Sequence, residues 1–392
     1  MTEHLYNEDS HRKEFRAVVA ACEKAKDSWR VSLDRTAFFP EGGGQGGDSG
    51  FLNDVEIFDT HEKDGVVWHY ARGPLEPGTE VTGRLDWRKR FSRMQQHTGE
   101  HIVSGLVHAR FGYRNVGFHL GDQDVTLDFD GPISREELAQ IEAAANEAVF
   151  ANLPVQISYP AREELASLSY RSKIEIEGQV RIVTIPGVDV CACCAPHVER
   201  TGEIGLIKLT GVQSHRGGVR VNLLAGDRAL ADYREKEGSV RAVSVLLSAK
   251  ENRISEAVER LKQEAYDLRG QLMRLNQARI REMTVSVPEG SENPVYFEPD
   301  LDMDTCRDFV NLLTARCRGT VCVFTGGREN SWRYIFGSRT EDTRPLCRAL
   351  NGRFQGKGGG KPEMVQGSLA GGQEEIRAAV KDFLAKDFLL KA

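Results

Sequence analysis

The chain has 392 residues, 28% of them charged, and a formal net charge of -6; that length accommodates two or three domains with cores of their own. The acidic balance excludes a uniformly basic nucleic-acid binder, so contacts with nucleic acid must come from local patches. The opening MTEHLYNEDSHRKEF is neither a secretory signal nor a transit peptide, and no apolar run approaches the roughly 20 residues that span a bilayer, so no membrane partner and a cytoplasmic location are expected.

Between residues 14 and 86, short apolar runs alternate with Gly, Asp and Asn punctuation: RAVVAAC, WRVSLD, GFLNDVEIFDT, DGVVWHYA and GTEVTGRLD. The spacing predicts a small antiparallel sheet or barrel, interrupted by PEGGGQGGDSG from Pro40 to Gly50. Residues 88–235 change period. RKRFSRMQQHTGEHIVSGLVHARFG sets Phe91, Met94, Ile102, Leu106 and Val107 at helical spacing. SREELAQIEAAANEAVFAN predicts a second helix, with Ser134 as cap and Glu137 three residues on, a capping box. VTLDFDG, PVQISYP, QVRIVTIP, IGLIKLTGVQSH and GGVRVNLLAG read as strands, so the stretch is α+β.

Residues 236–283 predict one long helix. On it Ile254, Val258, Leu261, Ala265, Leu268, Leu272 and Leu275 follow steps of four and three, a heptad seam that suits an arm and leans towards a homodimer. Residues 284–392 predict a second α/β unit. Its strands are VYFEP, TVCVFTGG and WRYIFGS; its helices are DTCRDFVNLLTARC, RPLCRALNGRF and QEEIRAAVKDFLAKDFL, with GKGGGKPEMVQGSLAGG as a glycine-rich loop between the last two. The expected fold class is α+β in four parts: a small β-barrel with a glycine-rich motif at 1–87, a metal-binding α+β domain at 88–235, a helical arm at 236–284 and an α/β domain with a glycine-rich loop at 285–392. Two segments are locally basic, Arg84 to Arg93 and Arg344 to Lys361; composition alone makes both solvated faces.

Three of the 8 cysteines crowd together at Cys191, Cys193 and Cys194. Without a secretion signal this reads as metal or redox chemistry, not as a disulfide framework. His97 and His101 stand at i and i+4 on a predicted helix, so both imidazoles project from one face towards a single metal ion. In VCACCAPHV, Cys193 and His197 offer a thiolate and an imidazole that complete a tetrahedral set. Cys191 and Cys194 are rival sulfurs that spacing does not exclude. A four-cysteine structural site is awkward because there is no second CxxC pair. A helical half-site and a distant loop half-site favour a metal in the cleft of a folded domain over a small zinc finger.

At these residues a resemblance is plain. QQHTGEH (Gln95 to His101) with CCAPHVERTGEIG (Cys193 to Gly205) resembles the HxxxH and CxxxH pair of the alanyl-tRNA synthetase editing domain and its free-standing relatives. DRTAFFPEGGGQGGDSG (Asp34 to Gly50) is similar to that family's glycine-rich barrel motif. GKGGGKPEMVQGS (Gly356 to Ser368) is similar to the C-terminal glycine-rich motif of the same synthetases, in a domain that also follows DHH phosphoesterase domains. The motifs keep the family's order and cover most of the chain, which is thereby identified as a member of the alanyl-tRNA editing family in its long, free-standing form. Two departures are local. CCAPH stands where the synthetases usually carry two glycines and a threonine, and Glu100 where threonine is frequent.

The resemblance implies one zinc ion per chain on His97, His101, Cys193 and His197. It implies mischarged tRNA(Ala) as partner, hydrolysis of its seryl ester and more weakly its glycyl ester, and sparing of Ala-tRNA(Ala). Aminoacylation is not expected, because the barrel motif begins within a few tens of residues of Met1 and leaves no room for an activating domain. Candidate catalytic residues are Thr36, Gln45 and Glu100. Thr36 is the candidate for recognising the serine hydroxyl, since a polar group that pairs with it is left unpaired by alanine. Gly42, Gly43 and Gly44 would let backbone approach the substrate. Lys357 and Lys361, beside the run from Gly358 to Gly360, would meet phosphate. Readings from other classes are a non-catalytic, zinc-stabilised tRNA-binding protein and, from the C-terminal domain alone, a metal-dependent phosphoesterase.

Overall fold

The alternating run between Glu14 and Leu85 closes on itself. The computed structural model describes residues 1–121, 125–172 and 178–391, with side chains as far as Ala385. Its first strands are β1 (Glu3–His4), β2 (Glu14–Lys24), β3 (Trp29–Leu33), β4 (Arg35–Thr36), β5 (Gly50–Leu52), β6 (Val55–Lys63), β7 (Val66–Ala71) and β8 (Glu80–Leu85). The order β2-β3-β7-β6-β5-β8 is a closed barrel, and β1 pairs with β4 in parallel. Alternation explains the closure: Phe15, Ala17 and Val19 of β2 point inward with Val31, Leu33, Leu52 and Ile57. Each fully buried Val, Leu or Ile stabilises the barrel by about 1.5–3 kcal/mol. Asp64 and Gly65, both at positive φ, form the two-residue turn between β6 and β7.

Next come α1 (Trp87–Phe111), β9 (Asn115–Leu120), β10 (Val125–Phe129), α2 (Arg135–Phe150), β11 (Gln156–Ser158), α3 (Arg162–Ser167), β12 (Ile182–Ile185), β13 (Asp189–Ala192), β14 (Ile207–His215) and β15 (Gly218–Ala225). Asp86 caps α1 by accepting from the Lys89 N–H, and Gly112 ends it at φ 72°. The expected capping box at Ser134 and Glu137 is present on α2. Both helices pack on the antiparallel sheet β14-β15-β10-β9, around Ile102, Val107, Leu127, Ile141, Val221 and Leu223. A second antiparallel sheet, β11-β12-β13, carries the cysteine-rich segment at its end. The expected strands appear; β9 and β13 are additional to them.

The contacts divide the chain into Met1–Ala242 and Val243–Ala392. The barrel and the α+β layers share the first unit, and the boundary falls inside α4 (Gly226–Leu247). The expected single long helix is two: after α4 the chain breaks at Ser248, whose φ is 49°, and resumes as α5 (Ile254–Ser286). A left-handed residue cannot continue a right-handed helix, whatever the apolar period around it.

The second unit continues with β16 (Val295–Phe297), α6 (Met303–Thr314), β17 (Val321–Gly326), β18 (Ser331–Gly337), α7 (Arg344–Arg353), β19 (Lys357–Lys361), β20 (Met364–Ala370) and α8 (Gln373–Lys391). Its sheet order is β16-β17-β18-β20-β19. The two faces feed separate cores: Cys322, Phe324, Tyr334 and Phe336 pack with α7 and α8, while Val321, Val323 and Ile335 pack with α5 and α6. Here the expected glycine-rich loop is corrected. Gly358, Gly359 and Gly360 form the edge strand β19, paired with β20. A Cβ at Gly358 or Gly360 would lie 2.3 Å from the Tyr334 hydroxyl or the Met364 carbonyl, so close packing demands glycine there.

The basic segment from Arg84 to Arg93 is corrected in part: Arg84 and Arg88 are exposed as expected, but two of its arginines are not. Arg90 is fully buried and donates to Asp48 and the Ala37 carbonyl, and the buried Arg93 donates to the Gly47 carbonyl at 2.7 Å. These arginines tie α1 to the barrel instead of facing solvent. No described helix is long and apolar enough to cross a membrane.

Candidate metal centre

The i, i+4 spacing on α1 places His97 and His101 side by side, and the segment after β13 brings Cys193 and His197 against them. One ligand atom from each of the four lies within 4.8 Å of all the others. The Cys193 Sγ is 3.5 Å from His97 Nε2 and 3.4 Å from His197 Nε2. Bonds of about 2.0–2.3 Å to a tetrahedral ion set ligand atoms roughly 3.3–3.7 Å apart, so these separations fit zinc.

The far side of each ring is also engaged. His97 Nδ1 faces Gln45 Oε1 at 3.1 Å, His101 Nδ1 faces Asp189 Oδ2 at 3.0 Å, and His197 Nδ1 faces Thr98 Oγ1 at 3.1 Å. Each of these oxygens can accept from an Nδ1–H, the tautomer that leaves the Nε2 lone pair to a metal ion. Asp189 is itself held by Arg171 Nε and Nη2 at 2.7 and 2.8 Å. Burial alone would raise the Cys193 pKa, but its contacts with His97, His101 and His197 hold it well below the usual thiol range. A thiolate among three imidazoles is the donor chemistry of a zinc site.

The rival sulfurs separate. Cys191 is buried with His101 and Asp189, and burial pushes its pKa up; Cys194 is exposed and outside the group.

The glycine-rich motif supports this centre from the barrel side. Gly42 N–H donates to Gln45 O and Gln45 N–H to Gly42 O, both at 3.0 Å, around a turn with Gly43 at φ 61° and Gly44 at φ 82°. Glycine adopts such successive left-handed positions without the Cβ penalty that other residues carry there. Leu120 N–H then donates to Gly44 O at 2.9 Å, docking the turn on β9 and delivering Gln45 to His97. A cavity of about 540 Å³ adjoins the cluster, walled in part by Gly43, Gly44, Phe118, His97, His101 and Arg181; ligand pockets span about 300–1,000 Å³.

The structure thus brings together His97, His101, Cys193, His197, Gly43, Gly44 and Gln45. Gln45 acts on His97 and does not line the cavity. Gly42 closes the turn. Glu100 is buried beside the cluster: Oε1 accepts from Ser104 Oγ at 2.8 Å and Asn115 Nδ2 at 2.6 Å, and Oε2 lies 3.8 Å from His101 Nε2. Thr36 lies apart from the described cavity wall. It is buried; its Oγ1 lies 2.8 Å from His69 Nε2 and accepts from the Phe38 N–H at 3.1 Å. Lys357 and Lys361 are exposed in the other unit, Val243–Ala392. Sequence reasoning missed Thr98, Asp189, Arg171 and Arg181. Thr98 and Asp189 adjoin the two half-sites in sequence, and that adjacency was the one available signal.

Residues 180–222 match the family described as the threonyl and alanyl tRNA synthetase second additional domain, and residues 8–89 match that of the class II (A) tRNA synthetases. The chain is 27% identical to alanyl-tRNA editing protein Aarsd1 of Rattus norvegicus, over 97% of this chain and 98% of the relative. It is 30% identical to Aarsd1 of Bos taurus, over 73% of this chain and 67% of the relative. It is 28% identical to alanyl-tRNA editing protein AlaX-L of Pyrococcus horikoshii, over 96% of each.

Proposed function

The chain belongs to the family of alanyl-tRNA editing proteins, and on that premise we propose that it hydrolyses the aminoacyl ester of mischarged tRNA(Ala). Ser-tRNA(Ala) is the preferred substrate, Gly-tRNA(Ala) a slower one, and Ala-tRNA(Ala) is spared. The observation that carries this reading is the buried cluster of three imidazoles and one thiolate, each ring oriented from behind, on the wall of a ligand-sized cavity.

His97, His101, Cys193 and His197 hold one zinc ion. When bound, zinc supplies Lewis acidity for an ester carbonyl or a water. Gln45, Asp189 and Thr98 fix the tautomers of the three ligand rings. Glu100, with one oxygen held by Ser104 and Asn115, presents a carboxylate beside His101 that can accept a proton at the cluster. Gly43 and Gly44 shape the wall beside which the aminoacyl group lies. Lys357 and Lys361 contact phosphates of the tRNA body. The uncovered heptad seam on α5 supports a homodimer.

Four protein donors are also the complement of a closed, structural zinc site, which favours a non-catalytic, tRNA-binding protein as the second reading. Single-turnover deacylation of tRNA(Ala) carrying serine, glycine or alanine, with and without chelator, decides. Serine release that is lost on metal removal and restored by zinc is expected. Equal rates on serine and alanine would sink the editing claim, and no turnover by zinc-loaded protein on any of the three would favour the second reading.

A further inference from the structure

Arg181 stands immediately before β12 with only 7% of its surface exposed. One nitrogen, Nη1, donates to the carbonyls of Cys193 at 2.7 Å and Ala195 at 3.0 Å, and its own carbonyl accepts from the Cys193 N–H at 3.1 Å. The other edge of the guanidinium is different. Nε and Nη2 are buried and have no hydrogen-bond partner, and among the described residues no carboxylate pairs with this side chain. The other buried arginines of this unit, Arg90 and Arg93, both reach Asp48, and the half-buried Arg171 pairs with Asp189.

An unpaired buried guanidinium is costly, by several kcal/mol per ion. Nε and Nη2 together are the edge that receives two oxygens of an oxyanion side by side. Arg181 lines the cavity beside the cluster, where it is the one permanently charged side chain among the described lining residues. Such a wall repels the ammonium of an amino acid and attracts an anion. On an aminoacylated acceptor end, the anion nearest the ester is the phosphodiester on the 5′ side of the terminal adenosine. Resting on the function proposed above, we propose that the free edge of Arg181, closed off in this structure, turns into the cavity to bind this phosphodiester and so anchors the terminal nucleotide with its ester at the cluster.

The probes are two stable amide analogues, 3′-deoxy-3′-(L-serylamino)adenosine with and without a 5′-phosphate, titrated calorimetrically into the full-length, zinc-loaded protein. The parent should prefer the phosphorylated analogue on the order of 10- to 100-fold, the range of hydrogen bonds to a charged group. Arg181→Gln should abolish that preference, whatever the loss of the Nη1 contacts does to the affinity shared by both analogues. Arg181→Lys should keep only part of it, because an ammonium has charge without the fork. Zinc content and melting temperature of both variants report on the Cys193 segment. No phosphate preference in the parent overturns the proposal. So does an equal loss for both analogues with loss of zinc, which would make Arg181 a support for the loop. A fall in kcat with the phosphate preference intact would place the fork on the oxyanion of the ester and equally overturn it. Deacylation of Ser-tRNA(Ala), run alongside, separates the two readings: phosphate preference without deacylation leaves the anchor standing and removes the editing function.

Discussion

His69 lies wholly inside the barrel, where burial drives its pKa down to about 4 despite the opposing hydrogen bond to the Val31 carbonyl. Its Nδ1–H donates to that carbonyl, so the Thr36 hydroxyl donates to Nε2. The folded-state value is below the unfolded one of about 6.5, so the unfolded chain takes the proton first. The contribution is therefore complete above pH 6.5 and is lost as pH falls towards 4, about 2 kcal/mol by pH 5. Denaturant melts at pH 7.5 and pH 5 should show this loss in the parent and not in His69→Gln. Thr36→Val leaves Nε2 and the Phe38 N–H without their partner, so a stability loss of about 1–3 kcal/mol is expected, with the serine preference retained. Loss of that preference at unchanged stability would instead return the hydroxyl to the substrate. At the cluster, Cys193→Ala should lose zinc while Cys191→Ala and Cys194→Ala keep it. Asp189→Asn should weaken zinc about 10- to 100-fold by releasing the His101 ring, read by competition with a chromophoric chelator. Unchanged affinity would remove Asp189 from the support of the site.

At the scale of elements, the Gly42–Gln45 turn is the part of the barrel that reaches the centre. A Cβ on Gly44 would lie 2.6 Å from the Phe118 carbonyl at a φ of 82°. Gly44→Ala should therefore displace Gln45 from His97, reducing both zinc affinity and stability, by more than the ~1 kcal/mol that a compatible Gly-to-Ala change alters. Gly78→Ala, also at positive φ but with nothing near its Cβ, is the control; equal effects on zinc would show that backbone strain alone matters. On α5 the seam residues Leu268 and Leu275 are 57% and 68% exposed. A seam uncovered along several turns suits a second copy of the helix. Light scattering at micromolar concentration should report a dimer that Leu268→Glu with Leu272→Glu dissociates. A monomeric parent would end the dimer proposal.

At the scale of the whole molecule, each unit has its own apolar cores, and the His–Cys cluster with its cavity lies in Met1–Ala242. A chain truncated after Ala242 should still release serine at high enzyme concentration. If Lys357 and Lys361 contact phosphates as proposed, it should bind tRNA more weakly and with a flatter salt dependence. An unchanged salt slope would deny the second unit a part in tRNA binding.

The residues of the His–Cys cluster were legible in the chain because each half-site is local: an i, i+4 pair needs only a helix, and a CxxxH element only one loop. The barrel and the capping box on α2 were legible for the same reason, as periods and end signals within a few residues. Long-range packing decided the rest. Which of three neighbouring sulfurs meets the histidines depends on how the end of β13 passes α1. Thr36 and Gln45 lie nine positions apart in one motif, yet one turns into the barrel and the other out to His97, because Gly43 and Gly44 reverse the chain between them. Arg90, Arg93 and Arg181 read as ordinary basic residues until the fold buries them, since sequence shows a charge but not the medium that surrounds it.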